Sequence, residues 1–230
     1  MTSSSPEPGA GSAIAGIADA DPVFEGMFGP FTISAADRRE VLHYRLALLA
    51  LALAQVGLVL QAWLLGPQLL WPWLPPMLLG LGLALRWIHI YLRPLHQLLQ
   101  LFWLVGCLGG LALALRVGAA NLLPALAEQP LWILAIGPFF AALAGVGFKE
   151  FFCFRRPEAI GVTLLLPVAL LGRLVGLLGA EATVALLAVE AALLVLLCLR
   201  KFPMPAAADV GDKSVFDWLE QQRQQPVALR

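Results

Sequence analysis

Charge is scarce in this 230-residue chain: Asp, Glu, Lys and Arg make up 13% of it, about half the ~25% of ordinary soluble domains. A folded chain that is 60% hydrophobic cannot cover its own surface with polar groups, so lipid must be its solvent. Basic and acidic residues balance to a net charge of zero, which argues against nucleic acid as a partner. The three cysteines, Cys107, Cys153 and Cys198, form no CxxC and no paired spacing. That argues against a disulfide framework and a thiolate metal site, and the three read as small packing residues. No HExxH, GxSxG or P-loop is present, so no catalytic residue and no metal are indicated. The first 33 residues hold neither Lys nor Arg, so neither a secretory signal nor a basic transit peptide is written there.

What the chain has in plenty is long apolar runs. Each spanning helix needs about 20 such residues. Six are expected, at roughly 41–65, 75–93, 95–116, 131–152, 159–179 and 182–200. Pro94 is expected to close the second and Pro157 the fourth. The fold class is therefore all-α, a polytopic six-helix transmembrane bundle. Residues 1–33 read as a disordered segment carrying an apolar strap (Phe24, Met27, Phe28, Phe31), residues 34–200 as the membrane domain and residues 201–230 as a cytoplasmic tail.

Of the fifteen Lys and Arg residues, only Arg116 and Arg173 fall on one side of such a bundle. The positive-inside rule then puts both termini in the cytoplasm, or in the stroma of a chloroplast. The same side gathers His43, Arg86, His89, Arg93, His96, Lys149 and Glu150, including all three histidines. Arg86, His89 and Arg93 recur at helical spacing and are expected to share one face of the second span. Three readings stand for this polar cluster. It is an interfacial belt whose cations snorkel to phosphates, a pocket for an anionic lipid headgroup, or an imidazole site for haem or chlorophyll. No cofactor is required by any motif.

Two charges lie deeper. Arg173 and Glu190 flank the last predicted turn at depths of about 10 and 15 Å, and an intramembrane ion pair between them is the natural expectation. After the sixth span, Asp212 offers a cap to the amphipathic stretch "KSVFDWLEQQRQQ". Val215, Phe216, Trp218 and Leu219 form its apolar side, which must dock on the membrane, on the chain's own loops or on a partner.

Four stretches carry a resemblance. They are "FTISAADRREVLHYRL" (31–46), "IHIYLRPLHQLLQLFW" (88–103), "GPFFAALAGVGFKEFFCFRRPE" (137–158) and "VGDKSVFDWL" (210–219). In this order they are similar to an uncharacterised integral membrane protein family of cyanobacteria and chloroplasts, a domain of unknown function. The resemblance implies a thylakoid or plasma-membrane setting and carries over no catalytic residue. In that setting the expected role is a scaffold or assembly and maintenance factor, with subunits of photosynthetic complexes as partners beside the bilayer. The alternative is a small transporter or a lipid- or pigment-binding membrane protein.

Overall fold

A computed structural model describes residues 21–66, 68 and 70–224, apart from the side chains of residues 216, 217, 223 and 224. The strap is a β-hairpin, β1 (Val23–Gly26) paired antiparallel with β2 (Gly29–Thr32). It is a small addition to an otherwise helical protein. Ser34 then starts α1 (Ala35–Leu64). Its hydroxyl accepts from the Asp37 amide at 3.2 Å, and Asp37 accepts from the Ser34 amide at 2.8 Å. This reciprocal cap, worth about 1 kcal/mol, begins the helix at Ala35 rather than near 41.

A 3-10 turn over Trp71–Trp73 leads into α2 (Leu74–Trp87), which has only 14 residues. They rise about 21 Å, against a hydrocarbon core of about 30 Å. Near the start of α2, Trp73 Nε1 donates to Gln61 at 2.7 Å, and at its end the Trp87 ring lies 4.8 Å from His43. The helix thus runs antiparallel to α1 from the level of Gln61 to that of His43. Its backbone approaches closely: a Cβ on Gly80 would lie 2.9 Å from the Ala47 carbonyl oxygen, a small-residue contact typical of membrane helices.

The expected extension of the second span to residue 93 is not found. Ile88 is already extended, and Pro94 lies in the first turn of α3 (Arg93–Val117), where its missing N–H costs nothing. That proline opens a helix rather than closing one. Arg86, His89 and Arg93 therefore occupy a helix end, an extended link and a helix start, and do not share one helical face.

Beyond α3 come the short α4 (Leu122–Glu128), then α5 (Ile133–Phe154), α6 (Pro157–Leu174) and α7 (Ala180–Lys201). Among the described residues, five helices are long and apolar enough to cross a membrane: α1, α3, α5 with the turn before it, α6 and α7. Pro157 both follows α5 and starts α6. Neighbours in space follow chain order from α1 through α2, α3, α5 and α6 to α7, and α7 packs back on α1. The result is a closed ring, with α4 laid across the end away from the ends of the described chain. Two short helices finish the described chain, α8 (Ala206–Val210) and α9 (Ser214–Gln224).

Candidate functional site

The face carrying the ends of the described chain holds a buried charge node. Tyr44 and Arg45 of α1, Lys149 and Glu150 of α5, Lys201 of α7 and Asp209 of α8 are all buried. Glu150 accepts from the Tyr44 hydroxyl at 2.6 Å, from Lys201 Nζ at 2.6 Å and from Lys149 Nζ at 3.3 Å. Lys201 donates also to Asp209, and Arg45 Nε reaches the other oxygen of Asp209 at 2.8 Å. Both lysine ammonium groups lie over the rings of Tyr44 and Phe154, which stabilises cations away from water. Burial alone would raise the Asp209 carboxyl, but the Lys201 charge beside it and the Arg45 hydrogen bond hold it below the usual carboxylate range. Three cations face two carboxylates, each with several partners, which is what charges at this burial require.

The sequence-derived polar cluster divides on this node. Lys149 and Glu150 belong to it. His43, Arg86 and Arg93 are exposed. His96 Nε2 lies 2.6 Å from the Leu85 carbonyl oxygen, so that nitrogen carries the proton and satisfies a carbonyl in the last turn of α2. His89 Nε2 sits 3.6 Å from Glu40. Burial lowers the His89 pKa below its ordinary 6.5, with the Glu40 charge opposing. The three histidines therefore have separate partners and do not converge on Glu150. Donor atoms of Asp37, Glu40 and His89 come within 4.8 Å of one another, but Asp37 already accepts from Ser34 and Lys213. Tyr44, Arg45, Lys201 and Asp209 were not singled out by sequence as one site. The available signal is Asp209, the first carboxylate in the small-residue stretch after Lys201.

The tail docks on the chain's own hairpin. Asp212 accepts from the Met27 amide at 2.7 Å and the Ser214 amide at 2.9 Å, and Ser214 Oγ accepts from the Phe28 amide at 3.1 Å. Trp218 stacks on Phe28 with centroids 4.6 Å apart, and Val210 is buried with Ile33 and Val41. Val215 is half-buried, whereas Trp218 and Leu219 remain 38% and 39% exposed. The side chain of Phe216 lies outside the described residues. Lys213 pairs with Asp37 at 2.9 Å rather than standing free.

Hydrogen bonds from Met27 and Ser214 hold the Asp212 carboxyl below its ordinary 3.8. A carboxyl depressed by folding stabilises above the unfolded value and loses that contribution as pH falls through the folded one. We therefore expect the tail to undock from the hairpin only below pH 3.8. A fluorotryptophan at 218, shifted by the Phe28 ring when docked, should report the release. An unchanged resonance down to about pH 2 would show that Asp212 does not hold the tail.

At the opposite end the ring lines a partly open apolar cavity of about 390 Å³, within the range of small-molecule sites. Its walls come from α1, α2, α3, α5, α6 and α7, and Leu122, Leu123 and Leu126 of α4 line its outer end. Arg173 stands at that outer end, donating to the carbonyls of Ala127 at 2.5 Å and Leu178 at 3.4 Å. Gln55 lines the deep end, and its amide donates to Glu190 of α7. The Arg173–Glu190 ion pair expected from the sequence is therefore not formed. Glu190 lies several turns below the α6–α7 link, at the depth of Gln55, and Arg173 remains beside the link carbonyls. Arg173 lines the outer end of the cavity, whereas Glu190 lies behind Gln55 and outside the lining. Among the described residues, Gln55 Oε1 and Glu190 Oε1 have no hydrogen-bond partner.

A family model described as "Uncharacterized integral membrane protein (DUF2301)" matches residues 83–218. The chain belongs to that family. The match runs from α2 into α9, so the Lys149–Glu150–Lys201–Asp209 part of the node and the whole α6–α7 wall of the cavity fall inside the family region. Gln55, Tyr44 and Arg45 precede it. No curated protein and no solved structure matches this chain.

Proposed function

We propose that this DUF2301 protein holds a small apolar ligand within its helix ring, the lipid- or pigment-binding reading of the sequence. The observation that carries the proposal is the cavity, walled by six helices and supplied with polar groups only toward its two ends. Ligand sites in helical bundles have this form: mostly apolar walls with a few placed polar groups. In this reading α2 is a sixth, short crossing beside α1, and both termini face the cytoplasm. The concentration of Lys and Arg on the terminal face supports that orientation. The setting we propose is a thylakoid or plasma membrane of a photosynthetic cell, on the strength of the motif resemblance.

Gly110 gives the test. It lines the cavity, and a Cβ built there meets nothing within 4 Å, so Gly110→Leu fills the space without moving a helix. The variant should fold and insert normally but carry less apolar ligand, read by mass spectrometry of organic extracts of the purified protein. Equal ligand content in both proteins would sink the proposal. A scaffold or assembly role is the second reading, favoured by the half-exposed Trp218 and Leu219. It requires Trp218→Ala to strip copurifying photosynthetic subunits from the protein.

A further inference from the structure

The cavity lining contains one charged side chain, Arg173, which is half-buried. Two hydrogen bonds fix where its guanidinium lies. One nitrogen donates to the carbonyl of Ala127, itself a lining residue, at 2.5 Å, and another to that of Leu178 at 3.4 Å. The cation therefore stands at the outer mouth, between the end of α4 and the α6–α7 link. These bonds use two of its five N–H donors. The cations of the terminal node, Arg45, Lys149 and Lys201, all face carboxylates. Arg173 pairs with none among the described residues. Glu128 and Glu181 follow lining residues in the chain, but both are exposed and neither forms an ion pair with it among the described residues. The same mouth receives the start of α7. Its first residue, Ala180, lines the cavity, and no side chain caps its amides. The first-turn N–H groups of a helix carry partial positive charge and favour an anion.

We propose that the cavity takes a single-chain amphiphile and that Arg173, with the start of α7, holds its anionic head at the mouth. The inference rests on the ligand-holding function proposed above and names the ligand's head and the end at which it sits. A carboxylate or phosphate head gives the remaining guanidinium donors charge-assisted hydrogen bonds, which are about twice as strong as neutral ones. A neutral head leaves the half-buried cation without a counter-charge, and a cationic head meets like charge. Behind the mouth, Leu58, Phe140, Leu170 and Leu187 offer the chain only apolar contact. The lining follows α3 from Gly106 to Ala114, about 12 Å at 1.5 Å per residue, so a chain of medium length lies along it. A volume of about 390 Å³ stands toward the small end of ligand sites, about 300–1,000 Å³, and suits one chain rather than the two of a membrane phospholipid.

The experiment uses the full-length protein in a non-ionic detergent at about pH 8, where a carboxylic acid is ionised. The probes are dodecanoate, dodecyl phosphate, methyl dodecanoate and inorganic phosphate, and binding is read by ligand-induced thermal stabilisation. Both chain-bearing anions should bind about tenfold more tightly than the ester, the lower end of what a charged hydrogen bond contributes. Added salt, which screens charge, should shrink that preference without any change to the protein. Arg173→Gln keeps an amide to donate to Ala127 but removes the charge, and should bind anions and ester alike. Equal binding of anions and ester by the unchanged protein overturns the inference while leaving the cavity's function standing. A preference that survives added salt overturns it as well, and so does one retained by a folded Arg173→Gln protein. Inorganic phosphate that stabilises as well as dodecyl phosphate would show a site for a free anion, and the chain would play no part. If no probe binds, the inference fails. If, in addition, Gly110→Leu leaves the extracted ligand unchanged, the functional proposal falls with it.

Discussion

Replacing Lys201 with methionine is expected to destabilise the protein by about 3 kcal/mol, the lower end of the range for breaking a buried charge pair. The ammonium group is fully buried and is the one cation that touches both Glu150 and Asp209. Methionine fills similar space and lies against Tyr44 and Phe154 as well as a lysine stem does, so the change isolates the charge. What remains is two carboxylates in a dry site, with Lys149 at 3.3 Å on one and Arg45 on the other. Those cations keep the loss from rising toward 5 kcal/mol. Adding Glu150→Gln should return a large part of it, because the second change removes the carboxylate that the first left short of a partner. Denaturant unfolding of the detergent-purified proteins is the measurement. A single variant within about 0.5 kcal/mol of the parent, as for an ordinary surface change, would mean that the node contributes nothing to stability.

The second large effect is expected at Gln55. Gln55→Leu removes the one side-chain hydrogen-bond partner that Glu190 has among the described residues and leaves a fully buried carboxyl without it. The cost should be about 3 kcal/mol or more, greater than that of Glu190→Leu, which strands only a neutral amide at about 1–3 kcal/mol. Changing both to leucine replaces a polar pair with packed apolar groups and should come close to the parent protein. The order of stabilities is therefore the test: the double variant above Glu190→Leu, and Glu190→Leu above Gln55→Leu. A double variant as unstable as the two single losses added together would show that the residues do not act as a pair.

The positions of the long helices were legible because a hydrocarbon solvent demands about 20 apolar residues at a time, and the runs are plain in the chain. Where each helix starts was less so. The cap that begins α1 is made by Ser34 and Asp37, polar residues that lie before the apolar run. Composition does not mark the end of α2, because Ile88, Ile90, Tyr91 and Leu92 continue the apolar run after the backbone has left the helix. Hydropathy reports the solvent a segment wants, not its dihedral angles. Of the candidate site residues, Lys149 and Glu150 are visible in the sequence as charges at a span end, but the partners of Glu150, Tyr44 and Lys201, come from α1 and α7 across long sequence separations. Depth within one hairpin pairs Glu190 with Arg173, whereas the fold does not. Gln55 reaches it from α1, and an uncharged amide draws no attention in a search for buried charges. The tail's apolar face is visible in the sequence, whereas the composition of the strap does not show that it folds into the hairpin that receives the tail.

The return of α7 to α1 has a consequence for how the chain is made. Gln55 meets Glu190 across 135 residues of sequence, and at about 5–20 residues per second synthesis of that interval takes roughly 7–27 s. For most of it α1 is already made, while the residue that answers Gln55 does not yet exist. Lys201 and Asp209, which join Tyr44 and Arg45 in the node, arrive later still. The close-packed α1–α2 pair can form early around Gly80, so the nascent protein waits as an open arc with polar groups on its unclosed edge. That edge is the surface an insertion factor or chaperone would have to shield, and it disappears only when the last long helix takes its place.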